Sequence, residues 1–291
     1  MKLVTFTQSG RTRIGAVDGD AVVDFSAVDA SLAIDMLSFL ERGAAAMDAA
    51  RAACAAGKGR LALADVKLEA PIRRPPKILA VGLNYRDHVE ETGGKIPQVP
   101  MIFNKQSTAV IGPHDGIYRP KDSEQLDYEG ELGIVIGKRC RRVPKDKAPG
   151  VIAGYTIVND VSVRDWQFRS ATTTMGKSWD THCPMGPYIV TTDEVPDPHR
   201  LSVRTWVNGE LRQNSNTKNL IFTCFDIVEH PSTAFTLEPG DVIPTGTPSG
   251  VVLGMDPRVW LKPGDVVRIA IDQLGELENP VIAEPDDTVR Y

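Results

Sequence analysis

The sequence has few of the residues that build stapled or metal-knotted folds. Its four cysteines, Cys54, Cys140, Cys183 and Cys224, are scattered over 291 positions with no C-x-x-C pair. That excludes a disulfide scaffold and points to reduced thiols in a cytosolic setting. Histidine is also scarce, and His114, His199 and His230 fall in turn-like segments with no ligand spacing. No apolar run approaches the ~20 residues that cross a bilayer. The opening Met1-Lys2-Leu3-Val4-Thr5-Phe6 has no secretory h-region, so a soluble cytoplasmic protein without membrane partners is expected. Positive charge is never striped. Net charge is -5, and the longest basic cluster, Lys138-Arg139-Cys140-Arg141-Arg142, suggests a solvated hairpin end rather than a nucleic-acid surface. Two catalytic signatures are missing. Ser249 has no Gly-x-Ser-x-Gly elbow, and Ala171 stands where a phosphate loop ending at Gly176-Lys177-Ser178 needs its first glycine.

What is present suits a globular chain: 42% hydrophobic and 24% charged residues, enough for one large domain or one with a small appendage. Apolar runs flank Asp18-Gly19 as a hairpin, and helix-like stretches follow over Ile34–Leu40 and Ala44–Ala56. Pro71-Ile72-Arg73-Arg74-Pro75-Pro76 breaks every periodic pattern. A small N-terminal domain is therefore expected over 1–70 and a larger catalytic domain over 71–291. Strand signals dominate the larger part: Lys77–Leu83, Leu132–Ile136, Ile152–Val158, Tyr188–Thr192, Leu201–Val207 and Val266–Ile271. Asn208-Gly209 reads as a hairpin turn. Strands do not alternate with helices, which disfavours Rossmann and TIM architectures. The expected fold class is mostly β (α+β), a roll or barrel with a few helices.

Acidic residues carry the chemical signal. In Asp127-Tyr128-Glu129-Gly130-Glu131-Leu132 an extended backbone puts Glu129 and Glu131 on one face. They form either a solvated strand end or a pair that needs a cation to be buried. Asp160 closes the apolar run Ile157-Val158-Asn159 as either a helix cap or a third acid. Three carboxylates without a Cys or His cluster suit Mg²⁺ or Mn²⁺. Upstream, His88 and Glu91 stand three apart on a short helix before Gly93-Gly94. They are either a surface pair or a general base with its orienting carboxylate on a hinged lid. Cys183 sits in an apolar, proline-flanked context and reads as a buried structural thiol.

Six ordered motifs resemble the fumarylacetoacetate hydrolase family over about residues 71–282. They are Gly82-Leu83-Asn84-Tyr85 with Asp87-His88; Phe103-Asn104-Lys105 with Ser107-Thr108; Asp127 through Leu132; Asn159 through Asp165; Gly176-Lys177-Ser178-Trp179-Asp180; and Gly240-Asp241-Val242 with Thr245 through Val251. Pro184-Met185-Gly186-Pro187 looks like the branch of domain-containing paralogues associated with oxaloacetate tautomerisation. The resemblance implies a β-roll catalytic fold, a homodimer, and one Mg²⁺ or Mn²⁺ held by Glu129, Glu131 and Asp160. It places the base at His88, oriented by Glu91. Lys177 falls where a cation stabilises oxyanion charge, and Arg164, Gln167 and Thr247 fall on pocket or substrate-binding positions. There are departures. Asn84 stands where the founding hydrolase carries a fourth carboxylate, Glu229-His230-Pro231-Ser232 interrupts a helix, and Pro244 suits an edge or bulge.

The function implied is a divalent-metal-dependent enzyme acting on small 2-oxo carboxylic acids. Hydrolytic C–C cleavage of an acylpyruvate through a metal-stabilised enolate comes first. Oxaloacetate tautomerisation or decarboxylation is the alternative, and an inactive binding module is the non-enzyme one. Three carboxylates around a +2 ion leave a negative surplus, so the acids alone do not invite a second free anion.

Overall fold

The chain folds mainly into β-structure with short helices, and the computed structural model describes residues 1–288. A twelve-stranded sheet is flanked by a five-stranded one. Along its main path the large sheet runs from Arg60–Ala62 through Ala21–Asp24, Arg11–Asp18 and Lys2–Gln8 to Cys183–Thr191. It continues through Ile152–Asn159, Gly130–Ile136, Val242–Pro244 and Ile78–Gly82 to Met101–Lys105. Most pairings among the described residues are antiparallel, and three are parallel. One of the three joins Val242 to Ile78.

Gly130–Ile136 is buried along its whole length, so it reads as a continuous apolar run rather than an alternating one. Its side chains still divide by face. Leu132, Ile134 and Ile136 join the core that includes Ile227 and Val228 of the helix Cys224–Ala234. Val135 points the other way, into a second core shared with Leu3, Phe25 and Phe39. Glu131 lies two positions from Gly133 and four from Val135, so it shares their side of the strand. Antiparallel register pairs Gly130 with Asn159, and the Asp160 N–H donates to the Glu129 carbonyl at 2.9 Å. Sheet pairing thus brings an acid from residue 160 beside acids at 129 and 131.

The first seventy residues share this sheet. Lys2 pairs with Val190 and Leu3 with Ile189. Their helices, Met36–Glu41 and Ala44–Ala55, cover the second core. The expected hairpins form at Asp18-Gly19 and at Asn208-Gly209.

Several local expectations differ from the structure. The strand expected at Tyr188 begins at Cys183, because Pro184 and Pro187 mask its pattern. Pro244 is neither at an edge nor at a bulge: it ends a three-residue strand in the sheet interior, opposite Gly133. Pro231 does not stop its helix, which continues to Ala234. Proline there removes the bond to the Ile227 carbonyl, close to the end where few later turns depend on it. By contrast, the basic cluster Lys138–Arg142 is mostly solvated and lies in the connection between the paired antiparallel strands Gly130–Ile136 and Ile152–Asn159, the hairpin end expected for it, which also holds a 3-10 segment, Lys145–Val151. No helix among the described residues is long and apolar enough to cross a membrane.

Candidate active site

Glu129, Glu131 and Asp160 offer carboxylate oxygens that all lie within 4.8 Å of one another, and all three residues are buried. Burial removes the solvated-strand-end alternative for the two glutamates. Asp160 caps no helix either, since Val163 occupies that position for Arg164–Gln167. A cluster of three buried acids opposes its own ionisation. The strain falls on Glu131, whose carboxyl is pushed well above the usual range by burial and by the charges of Asp160 and Glu129. Its Oε2 accepts the Gly246 N–H at 2.8 Å, and among the described residues it meets no cationic side chain. Three hard oxygen donors converging around one such under-compensated carboxylate fit a hard divalent ion, Mg²⁺ or Mn²⁺.

Two lysines and an arginine compensate the rest. The Lys177 ammonium bridges Glu129 Oε2 at 2.7 Å and Asp160 Oδ2 at 2.9 Å. Burial works against its charge, but Asp160 and Glu129 outweigh burial and raise its pKa. Lys105 Nζ lies 2.6 Å from Asp160 Oδ1 and donates to the Lys177 carbonyl. Arg164 NH2 touches Asp127 Oδ2 and Glu129 Oε1, each at 2.7 Å. Burial alone would raise the Glu129 pKa, yet Lys177 and Arg164 hold it down at about 2. Sequence reasoning gave Lys105 no role, because one lysine in a polar motif has no periodic signature. Its presence also corrects the charge balance. Asp127, Glu129, Glu131 and Asp160 face Lys105, Lys177 and Arg164, so a divalent ion leaves the cluster one charge positive and receptive to an anion.

Short helices set these cations. Lys177 ends Thr174–Lys177, which packs on Arg164–Gln167 through Gly176. A Cβ on Gly176 would lie 2.3 Å from the Gln167 backbone, so only glycine permits the approach. Gln167 Oε1 accepts from Arg164 NH1 at 2.8 Å. The Arg164 guanidinium is thereby committed to Asp127, Glu129 and Gln167. Thr247 donates to the Gly130 carbonyl at 3.1 Å and accepts from Gln213 at 2.8 Å. Gln213, unsuspected from sequence, also accepts the Gly130 N–H at 3.0 Å and so pins the Glu129–Glu131 backbone.

His88 and Glu91 lie on Arg86–Glu91 as expected, with His88 Nδ1 3.2 Å from Glu91 Oε2. Glu91 Oε1 in turn accepts the Gly250 N–H at 2.8 Å, so the orienting carboxylate is itself held. His88 counts among the electrostatic neighbours of Glu129. Asn84 is no ligand: its amide bonds the backbones of Phe222 and Thr245. It braces the strand-to-helix corner ahead of His88. Burial pushes the Cys183 thiol up to about 12, which leaves it unreactive.

Residues 77–282 match the fumarylacetoacetate (FAA) hydrolase C-terminal family. The chain is 43% identical over 288 residues to the mitochondrial oxaloacetate tautomerase fahd2 of Xenopus laevis, covering 97% of this chain and 90% of that protein. Among solved structures it resembles maleylpyruvate hydrolase from Sphingobium sp. SYK-6 in complex with manganese (II) ion and pyruvate. There the TM-score is 0.82 and identity 34%, over 98% of this chain and 100% of that one. A 5-carboxymethyl-2-hydroxymuconate delta-isomerase from Mycobacterium smegmatis gives a TM-score of 0.79 and 36% identity, over 98% of this chain and 100% of that one.

Proposed function

The chain belongs to the fumarylacetoacetate hydrolase family of enzymes, and from that premise we propose that it is a divalent-metal-dependent enzyme of 2-oxo acids whose main reaction is keto–enol tautomerisation of oxaloacetate. The observation that carries this reading is the His88–Glu91 pair beside the buried acids, in a chain like a tautomerase over nearly its whole length. Glu129, Glu131 and Asp160 would hold Mg²⁺ or Mn²⁺. When bound, the ion supplies Lewis-acid polarisation of the substrate ketone.

The protein's own residues move the proton. Glu91 engages His88 Nδ1, which leaves Nε2 to take a proton from C3 and return it to oxygen, or to run the reverse. Glu91 stabilises the imidazolium in between. Lys177 puts a fixed positive charge where oxygen gains negative charge. Arg164 acts through Glu129, while Gln167 and Thr247 shape the pocket wall.

Hydrolytic cleavage of an acylpyruvate stood first on sequence alone and becomes the second reading. The likeness to maleylpyruvate hydrolase keeps it in view. It uses the same residues, with His88 activating a water instead. We further propose a homodimer, and a catalytic unit following the 71–76 connector, which the family match from residue 77 supports. The four free cysteines suit a reducing compartment such as the cytoplasm.

The test is a side-by-side assay with Mg²⁺ or Mn²⁺. Oxaloacetate is followed by loss of enol absorbance and by CO₂ release, and acylpyruvates by pyruvate formation. Faster enol decay without CO₂ is expected. Pyruvate release without faster enol decay makes the enzyme a hydrolase, and silence in every assay leaves only a binding module.

A further inference from the structure

A cleft of about 940 Å³ opens in the N-terminal layer and shares no lining residue with the acidic centre. It lies between the strand Arg11–Asp18, the 32–38 segment and the connector at 71–74. The connector is fastened there, because the Thr5 hydroxyl donates to the Pro71 carbonyl at 2.7 Å. Ile34 and Leu37, both half-buried, give the cleft an apolar floor, backed by the buried core residues Ile14, Leu32, Met36 and Ile72. Its volume falls in the range of small-molecule sites.

The rim is cationic. Arg11, Arg13, Arg73 and Arg74 line it, in a chain whose net charge is -5. Arg13 is committed to Asp24 at 2.5 Å and Gln8 at 3.1 Å, though its buried Nε has no partner. Arg11, Arg73 and Arg74 have no acidic partner among the described residues. Asp35, the acid lining the cleft, accepts the Ser38 N–H at 2.8 Å. Three uncommitted guanidiniums over an apolar floor form a local field for anions, and their planar forks match phosphate and carboxylate oxygens.

We propose that this cleft is a second binding site, for a small organic polyanion with a compact apolar body whose charges are phosphate or carboxylate groups. The arginines hold the charges and the floor takes the body.

Calorimetric titration of the metal-loaded protein tests it. The probes are adenosine monophosphate for the phosphate form, benzene-1,3,5-tricarboxylate for the carboxylate form, and adenosine as the uncharged control. At least one charged probe should bind once per chain, with adenosine silent. The Arg73→Ser/Arg74→Ser variant should weaken that probe roughly 10–100-fold while turnover stays at wild-type level. Binding by one probe alone identifies the ligand's charged group. Asp160→Asn, which alters the acidic centre, should leave the titration unchanged. Three results overturn the proposal: no charged probe binding below millimolar concentration, equal binding by the double variant, or loss of binding in Asp160→Asn. A double variant that changes the oligomeric state with no probe bound overturns it too, since the cleft then belongs to a contact between chains.

Discussion

Arg164→Met tests whether the site is held by its own electrostatics. In the native fold Arg164 Nε and NH2 meet Asp127 Oδ2 at 2.8 and 2.7 Å, NH2 meets Glu129 Oε1 at 2.7 Å, and NH1 meets Gln167 at 2.8 Å. Methionine keeps the volume and removes every one of these bonds. Among the described residues, Asp127 then keeps only backbone donors, from Tyr128, Val252 and Leu253. Glu129 keeps Lys177 but loses the neighbour that fixes its other oxygen. Removing one partner of a buried ion pair costs about 3–5 kcal/mol. For a chain of this size that lowers Tm by roughly 6–10 °C. Turnover should fall about 10²-fold, as expected when a ligand carboxylate is displaced by about an ångström. The assay is scanning calorimetry in chelator, so that bound metal does not mask the loss. Arg164→Lys should lie between wild type and Arg164→Met. Adding Asp127→Asn to Arg164→Met should cost less than the two single losses combined, because it removes the orphaned charge. An Arg164→Met protein that melts within 2 °C of wild type and turns over normally would refute this account of how Glu129 is held.

Chelation should abolish turnover and lower Tm, and Mg²⁺ or Mn²⁺ at about a hundred times its Kd should restore roughly 2.7 kcal/mol of stability. Asp160→Asn should lose both responses, and full activity in thorough chelator contradicts the metal assignment. His88→Ala should lose turnover by roughly 10²–10⁴-fold while retaining metal binding and oxalate binding; collapse of metal binding in that variant points to a different base. Glu91→Gln should lose less and shift the pH profile. His182 predicts acid lability. Burial holds its pKa at about 3, against the usual 6.5. Above pH 6.5 both states are neutral and it has no effect. Below that, the unfolded chain takes a proton that the fold refuses, so stability falls by about 1.4 kcal/mol per pH unit down to the folded value. His182→Gln keeps a donor for the Tyr118 carbonyl, and should lose roughly 2–3 kcal/mol less than wild type between pH 7.5 and 4.5; equal losses in the two proteins would place the acid sensitivity elsewhere.

The parts legible in the sequence are those with local periodicity. Val266–Ile271 follows from its β-branched pattern alone. The two-residue spacing of Glu129 and Glu131 and the three-residue spacing of His88 and Glu91 are geometric consequences of strand and helix, and both pairs meet as that geometry requires. What stayed hidden depends on pairings far apart in the chain. Lys105 reaches Asp160 across 55 residues, and Gln213 braces Gly130 across 83. Lys2 joins Val190, so the N-terminal strands extend the catalytic sheet, although Pro71-Ile72-Arg73-Arg74-Pro75-Pro76 looks like a boundary. No window of local sequence contains both members of such a pair. Prolines misled for a related reason: Pro244 and Pro231 are tolerated where neighbouring elements do not need the missing donor, which only tertiary context reveals.

In the proposed reaction, charge favours proton shuttling by this constellation. With a divalent ion in place the four acids and three cations of the buried cluster would sum to one positive charge, so an oxaloacetate dianion would bring that cluster to one negative, Glu91 not counted. A free hydroxide or a third substrate charge would be resisted in so buried a place. Moving a proton from C3 to His88 adds no net charge, because the carbanionic centre and the imidazolium form together. His88 is 7% exposed, which would limit exchange of that proton with bulk water. Glu91, tied to the Gly250 N–H, keeps the ring aimed through both transfers. Cleavage must in addition admit and deprotonate a water. In the proposed reaction, burial of the base would favour return of the same proton, and with it tautomerisation over cleavage.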